Sequence, residues 1–329
     1  MSLSAPKRVQ CSIAGLLLLT AAGALPAAQD AGGKWPEKPV RIVVATGPGA
    51  GDDFITRLLA PKLSEMLRQQ FVVENRPGAG GVIAQTFVKN AAPDGYTWLL
   101  AGGSMAGARY VNAAVTYDVL RDFTPVSLLE TSQFVMVVHP SVPAKNAREY
   151  IALARSQPGK MTFGTIGPGQ IPYWSAILFN NMAGIKAVEV TYKGTAEALT
   201  DTMAGRIDYY FIPLVAAVAH QARLRPLALT GMTRSAALPQ VPTMSEAALP
   251  GYDMPAWRSI MGPAGVRRDI AGSLHAALGR ALEMPDVREK MAHAGSEVAT
   301  STPEELSKRY ADWIERFGKI ARQAGIKPQ

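Results

Sequence analysis

The chain has 329 residues, enough for about two domains of roughly 150 residues that each bury a core. Apolar residues make up 48% and charged residues 18% of the sequence, which excludes a wholly disordered chain. The formal net charge is +8, but no run of Lys or Arg exceeds two residues, and this pattern argues against a nucleic-acid partner. An excess of positive charge also suits a small anionic ligand.

The first 31 residues have the pattern of a secretory signal peptide. Basic residues at positions 7 and 8 precede an apolar stretch over 12–24, and small residues follow to position 31. An uncleaved anchor is the alternative, although a membrane span needs about 20 apolar residues. Cys11, the only cysteine, falls within this segment. We therefore predict that residues 1–31 are removed and that the mature protein is soluble, exported and free of disulfides.

Short apolar runs alternate with helical patterns in the first part of the mature chain. Strands are predicted over 40–45, 71–74 and 96–101, each followed by a turn that contains glycine. Apolar residues recur at helical spacing over 54–67, where Pro61 is expected to kink the helix. This alternation is typical of a parallel sheet with helices on both faces.

The same alternation resumes after a segment over 126–138, which we interpret as a linker between two lobes. In the later part of the chain four strands are predicted, over 161–164, 188–192, 207–211 and 225–229. Two C-terminal helices follow, over about 268–293 and 303–323. We predict an α/β protein with two lobes, each a doubly wound, mainly parallel sheet, and a hinge between them. Lobe 1 takes residues 34–134 and 258–329, and lobe 2 takes residues 135–257.

The turn after the first strand resembles a dinucleotide-binding turn, because glycine stands at positions 47, 49 and 51. The third glycine of that fingerprint should stand at position 52, which is Asp52. Asp52 and Asp53 at a helix start would repel a pyrophosphate. A simpler interpretation is that one of them caps the helix through its backbone N–H groups. We therefore predict no nucleotide cofactor, and no other cofactor.

Ser104 stands in Gly102-Gly-Ser104-Met-Ala106 after a predicted strand, and this sequence nearly matches a nucleophile elbow. The last glycine of the elbow is alanine in this sequence. The chain has four histidines, His139, His220, His275 and His293, and none of them carries a motif that marks a triad base. No zinc or calcium motif is present. An exported serine hydrolase at Ser104 is an alternative, but we predict a protein without catalytic residues or metal.

At least three turns place backbone donors at predicted helix starts, over 47–53, 164–169 and 193–195. Open α/β sheets bind ligands outside the carboxyl ends of their strands, where exposed N–H groups favour anions. Each turn alone could simply be a tight connection that needs glycine. Their recurrence in both predicted lobes favours a small carboxylate between the lobes, with closure at a hinge.

Several sequence blocks, in order, resemble the Bug family of periplasmic solute-binding proteins, which serve tripartite tricarboxylate transporters. These blocks include Val73-Glu-Asn-Arg-Pro-Gly-Ala-Gly-Gly81, Ala92-Pro-Asp-Gly-Tyr-Thr97, Tyr192-Lys-Gly194 and Leu238-Pro-Gln-Val-Pro-Thr243. The resemblance covers nearly the whole mature chain. It implies a type II periplasmic-binding-protein fold without enzymatic activity, a ligand carboxylate between the lobes, and membrane permease subunits as partners. A periplasmic sensor that uses the same pocket without transport is the alternative.

The resemblance also assigns candidate ligand residues. In the first loop Pro48, Gly49 and Asp53 match the family pattern, Ala50 replaces a glycine and Gly51 replaces a hydroxyl residue. We expect the N–H groups of residues 49–51 to face the carboxylate, with Asp53 opening the helix. The full set of candidates is Pro48, Gly49, Ala50, Gly51, Asp53, Ser104, Gly164, Thr165, Gly167, Gly169, Tyr173, Tyr192, Lys193, Gly194 and Phe211.

The second-lobe loop departs from the family pattern at Gln170 and Ile171, which replace small polar residues. Ile171, Pro172 and Tyr173 add apolar and aromatic surface, which suits an aromatic or bulky monocarboxylate better than citrate. Tyr173 fits either the pocket or the core, whereas Trp174 is expected to pack in the core.

Overall fold

In the computed structural model, which describes residues 1–2 and 35–329, helices cover two β-sheets. The predicted signal peptide and Cys11 lie outside the described residues, apart from residues 1 and 2. The strands are β1 (Val40–Val44), β2 (Phe71–Asn75), β3 (Thr97–Gly102), β4 (Phe123–Ser132), β5 (Phe134–Val138), β6 (Thr162–Thr165), β7 (Val188–Thr191), β8 (Tyr209–Pro213), β9 (Arg225–Leu229), β10 (Ala256–Pro263) and β11 (Ser296–Val298).

The helices that cover these sheets mostly alternate with the strands along the chain. They are α1 (Gly51–Leu67), α2 (Val82–Lys89), α3 (Ala147–Ser156), α4 (Ile171–Ala183), α5 (Thr195–Met203), α6 (Leu214–His220), α7 (Met244–Ala247), α8 (Arg268–Glu283), α9 (Pro285–His293) and α10 (Pro303–Gln323). Short 3-10 turns occupy Ala79–Gly81 and Gly103–Tyr110. Over the described ranges, no helix has both the length and the apolar character needed to cross a membrane.

Both sheets are mixed and share one pattern of strand order. The first sheet has the order β11-β4-β10-β3-β1-β2, and the second has the order β7-β6-β8-β5-β9. In each sheet a strand from a distant part of the chain, β10 or β5, is inserted antiparallel to its neighbours. Four of the six strands of the first sheet point in one direction, and so do four of the five strands of the second sheet. The predicted α/β fold with two lobes built on mainly parallel sheets is confirmed.

All seven predicted strands exist, each within two residues of its predicted ends. The segment over 126–138 connects the two sheets, but most of it is strand: it lies in β4 of the first sheet and β5 of the second, which pair with β10 and with β8. The predicted helix over 268–293 is two helices, and Pro285, which has no N–H to donate, begins the second. Pro61 lies inside α1, which continues to Leu67.

The first sheet takes its strands from residues 40–132 and 256–298, and the second takes its strands from residues 134–229. The chain therefore leaves the first sheet after β4 and returns to it at β10. Residues 35–329 form one contact unit, so the predicted lobe boundaries near 134 and 258 stay a prediction.

Gln133 joins the two segments through which the chain passes between the sheets. Its Oε1 accepts a hydrogen bond from the Gly231 N–H at 3.1 Å, and its Nε2 donates to the Thr233 carbonyl at 3.0 Å. Beside it, the Phe134 N–H donates to the Thr230 hydroxyl at 3.0 Å. The outgoing and returning segments are thus held side by side where a hinge between two lobes would lie.

Candidate ligand-binding site

A cavity of about 160 Å³ lies between the two sheets. The wall that belongs to the first sheet, here called the first wall, comes from the ends of β1 and β3, the starts of α1 and α2, and β10. It consists of Ala45, Thr46, Asp52, Gly80, Gly81, Gln85, Leu100, Gly102, Gly103, Ser104, Ala256, Trp257 and Arg258. The second wall, from the other sheet, consists of Phe134, Ile166, Gln170, Ile171, Pro172, Thr195, Tyr210 and Pro213.

Asp53 holds the turn that precedes α1. Its carboxylate is 3% exposed and accepts hydrogen bonds from the Gly49 N–H, the Arg57 side chain and the Asn75 amide, each at 2.9 Å. The hydrogen bond from Arg57, helped by those from Gly49 and Asn75, outweighs burial and lowers the pKa of Asp53 to about 2. The turn is therefore tied to the end of β2 by a charged, buried carboxylate.

This arrangement corrects one expectation about the first loop and bears on a second. Neither aspartate caps α1, because the helix begins after Ala50 without a side-chain cap, and the Asp53 carboxylate reaches back to the turn instead. The Gly49 N–H, which we expected to face a ligand carboxylate, donates to the Asp53 carboxylate. Gly49 has φ of +82°, in the left-handed region that glycine tolerates best, which explains a glycine at this position.

Two charged side chains of the first wall, Asp52 and Arg258, contact a third, Glu130, which is fully buried and does not line the cavity. The guanidinium of Arg258, on β10, donates from Nε to the Asp52 carboxylate and from Nη1 to the Glu130 carboxylate. Burial alone would lower the pKa of Arg258, but the two carboxylates raise it above its ordinary value, so the arginine stays charged. Gly51 lies against this group, and a Cβ there would stand 3.0 Å from Arg258 Nη2.

The second wall is neutral and largely apolar. Thr165, which ends β6, is buried and donates to Glu189 at 2.6 Å, while the Gly167 N–H donates to the Thr165 hydroxyl at 3.3 Å. These bonds fix the turn that carries Ile166 and Gln170 to the start of α4. Tyr210 faces the cavity from β8, and burial raises the pKa of its phenol to about 12, so it remains a neutral hydrogen-bonding group.

Of the predicted ligand residues, Ser104 lines the cavity, and immediate neighbours of several others do so. Asp52, Ile166, Gln170, Thr195 and Tyr210 stand one residue away from predicted positions and form part of the walls. The remaining predicted contacts stay predictions.

The other predicted residues lie around the cavity or behind it. Pro48, Gly49 and Gly51 are exposed on the loop before and at the start of α1, and Lys193 is exposed before α5. Tyr192 donates its hydroxyl to Asp201 at 2.8 Å. Buried behind the second wall are Gly164, Thr165, Tyr173 and Phe211. Ala50, Gly167, Gly169 and Gly194 belong to the turns that precede α1, α4 and α5.

The aromatic residues near the second wall are mainly core. Trp174 is fully buried, and its ring lies 4.6 Å from that of Phe317 on α10, as expected for a core residue. Tyr173 is 6% exposed, lies edge-on to Trp174 and is absent from the cavity walls. The structure thus favours the core for Tyr173.

The sequence did not reveal Trp257, Arg258 and Gln85 as wall residues, or Glu130 as the buried partner of Arg258. Three of them lie on β4 and β10, strands that the sequence pattern did not predict. Gln85 lies on α2, where its Oε1 accepts the Tyr117 hydroxyl and its Nε2 has no partner in the described chain. The one available signal was an arginine placed inside an apolar run over 256–263.

In the described chain no histidine stands beside Ser104 as the base of a catalytic triad would. None of the four histidines lines the cavity that contains Ser104. His139 contacts Ser141 at 2.7 Å, and His275 contacts the Val126 carbonyl at 3.0 Å. Among residues 1–2 and 35–329, no group of three or more His, Cys, Asp or Glu side chains could hold a metal ion.

Comparison with known proteins places the chain in a family. The family model described as Tripartite tricarboxylate transporter family receptor matches residues 55–326. The curated protein BugT of Bordetella pertussis is 31% identical over 320 residues, which cover 96% of this chain and 97% of BugT.

Two solved structures from Rhodopseudomonas palustris are also similar. One protein, solved with adipate, has a TM-score of 0.81 and 32% identity, and the match covers 90% of this chain and all of that one. MatC, solved with bound malate, has a TM-score of 0.77 and 29% identity, and covers 87% of this chain and 100% of its own. The chain therefore belongs to the tripartite tricarboxylate transporter receptor family, the Bug proteins, which are periplasmic solute-binding receptors and not enzymes.

Proposed function

We propose that this chain is exported to the periplasm, captures a small organic carboxylate between its two sheets, and delivers it to the membrane permease subunits of a tripartite transporter. The observation that carries the proposal is the cavity whose walls come from both sheets. A ligand that touches both walls stabilises the closed arrangement by the contacts that only this arrangement provides.

Local chemistry supports an anionic group on the ligand. Helices α1 and α4 begin beside the cavity, and the first N–H groups of a helix together with its dipole favour a carboxylate. The relatives solved with adipate and malate hold carboxylic acids in the same fold. These features support a carboxylate for this chain also.

The apolar wall supports a bulky or aromatic monocarboxylate over a tricarboxylate. Phe134, Ile171, Pro172 and Trp257 present apolar surface, whereas Arg258 is the one cationic residue among those that line the cavity in the described chain. Each further carboxylate on a ligand would need donors to replace its lost water. A ligand with one carboxylate and an apolar body fits this supply of donors.

A thermal-shift screen of the mature protein against a carboxylate panel, followed by calorimetry, tests capture. A ligand at 100 times its Kd should stabilise the protein by about 2.7 kcal/mol, which raises the melting temperature by several degrees. We expect Ser104→Phe to fill the cavity and abolish the shift. Ser156→Phe, the same change at an exposed position on α3, should keep it. Equal shifts in both variants would place binding elsewhere.

Uptake by the source bacterium tests delivery to a permease. Deletion of the gene should abolish uptake of the labelled carboxylate that the screen identifies, and re-expression should restore uptake. Unchanged uptake combined with a lost transcriptional response to the same carboxylate would show a sensor instead.

A further inference from the structure

The first wall carries an uneven set of charges. Asp52 and Glu130 each contribute a carboxylate and share the single guanidinium of Arg258, so the three residues together carry a net charge of −1. The side chains of Arg258 and Asp52 are 20% and 21% exposed, and that of Glu130 is fully buried. Asp52 and Arg258 line the cavity, whereas Glu130 lies outside its lining and pairs with Arg258.

The negative charge in this group is incompletely paired. Glu130 Oε2 is buried and has no hydrogen-bond partner in the described chain. Arg258 donates from Nε to Asp52 and from Nη1 to Glu130, so one cation pairs with two carboxylates. A buried carboxylate without full pairing is unfavourable, and a positive group of a ligand beside Asp52 would reduce the excess negative charge around it.

The rest of the cavity offers no second cation. In the described chain the other lining residues of both walls are uncharged. A dicarboxylate would therefore bring two negative charges to a site whose own net charge is already −1. A ligand with one carboxylate and one cationic group would add no net charge and would place its positive end beside the Asp52 carboxylate.

We propose that the cavity takes a carboxylate that also carries a cationic nitrogen with N–H donors, an amino-carboxylate. The nitrogen lies at Asp52, and the carboxylate faces the donors of Gln170, Thr195 and the start of α4 on the second wall. This inference rests on the proposed function and narrows the ligand class of the same cavity.

Matched pairs of probes test the charge preference on the wild-type protein. 6-Aminohexanoate and adipate share a six-carbon chain, and a CH2–NH3⁺ end replaces one carboxylate. 4-(Aminomethyl)benzoate and 4-(carboxymethyl)benzoate form the corresponding aromatic pair. By calorimetry we expect the amino member of at least one pair to bind at least ten times more tightly than its dicarboxylate partner.

Asp52→Asn tests the residue. In the described chain the Asp52 carboxylate has no hydrogen bond other than that from Arg258, and the Asp52 backbone carbonyl still accepts from the Thr56 hydroxyl. The variant should lose at least tenfold in affinity for the amino-carboxylate and should gain affinity for the dicarboxylate. Asp312→Asn, an exposed acidic position on α10, is the control and should bind both probes as the wild type does.

The outcomes separate this inference from the proposed function. If the dicarboxylate of each pair binds as tightly as its amino partner, or if every carboxylate that binds lacks a cationic nitrogen, the inference is wrong and the proposed function stands. If Asp52→Asn folds and keeps the wild-type preference, Asp52 is not the contact and the inference is also wrong. If no carboxylate of the panel binds, the proposed function fails and the inference fails with it.

Discussion

At the scale of single residues, Asp53 is the best-defined electrostatic feature of the loop that begins α1. It accepts hydrogen bonds from a backbone N–H, an arginine and an asparagine, and its pKa falls from an ordinary value of 3.8 to about 2. A carboxyl group whose pKa is lower in the folded than in the unfolded protein stabilises the fold above its unfolded pKa. That stability is lost as the pH falls through the folded pKa.

We predict that Asp53→Asn lowers the free energy of unfolding at pH 7 by about 1–2 kcal/mol, a value reduced by solvent screening at the half-exposed Arg57. The difference from wild type should shrink as the pH falls from about 5 towards 2, because the wild-type carboxylate becomes protonated there. Urea unfolding followed by circular dichroism across this pH range measures it. The control, Asp312→Asn, should follow the wild-type profile, and a difference for Asp53→Asn that stays constant with pH would contradict the assignment.

Single residues also show where the sequence was informative about the site and where it was not. The turns at residues 47–53 and 164–169 were located from their glycines, and both flank the cavity. Their hydrogen bonds cannot be predicted from the sequence pattern. The Gly49 N–H, for example, was expected to face a ligand and donates to the Asp53 carboxylate. Asp52 and Arg258 stand 206 positions apart, and only the fold brings them together.

At the scale of elements, α10 joins the layers beneath the cavity. Its Phe317 contacts Trp174 of α4 with ring centroids 4.6 Å apart, and its Tyr310 contacts Trp257 of β10 with centroids 4.7 Å apart. Thr302 caps the helix and forms a capping box with Glu305. One helix thus supports side chains that belong to both sheets.

We predict that Phe317→Ala destabilises the protein by about 3–5 kcal/mol, because it removes a fully buried ring and leaves a cavity among other aromatic rings. Urea unfolding monitored by circular dichroism gives the change in free energy. Glu315→Ala, at an exposed position on the same helix, should change it by less than about 0.5 kcal/mol. Similar small effects of both substitutions would show that α10 does not support the core as described.

The elements themselves divide into those that local pattern predicts and those that it does not. β1, β2 and β6 are short apolar runs followed by glycine turns, and the sequence located each of them. β10 was missed because it carries Arg258 and Ser259 and pairs antiparallel with β3 and β4, from which it is distant in sequence. No local periodicity encodes such a long-range pairing.

At the scale of the whole molecule, the two sheets enclose the cavity between them. The two chain segments that cross between the sheets lie side by side. Gln133 holds the outgoing and returning segments together, and the walls face each other across a space of about 160 Å³. Membership of the receptor family and relatives solved with adipate and malate agree with this arrangement. The central claim is that a carboxylate is held by both sheets at once.

A crystal structure of the mature protein with the carboxylate that the screen identifies tests this claim most directly. We predict electron density for one ligand in the cavity. That ligand should contact Ser104 or Asp52 on the first wall and Gln170 or Thr195 on the second. A ligand that contacts only one sheet, or that lies outside the cavity, would contradict it.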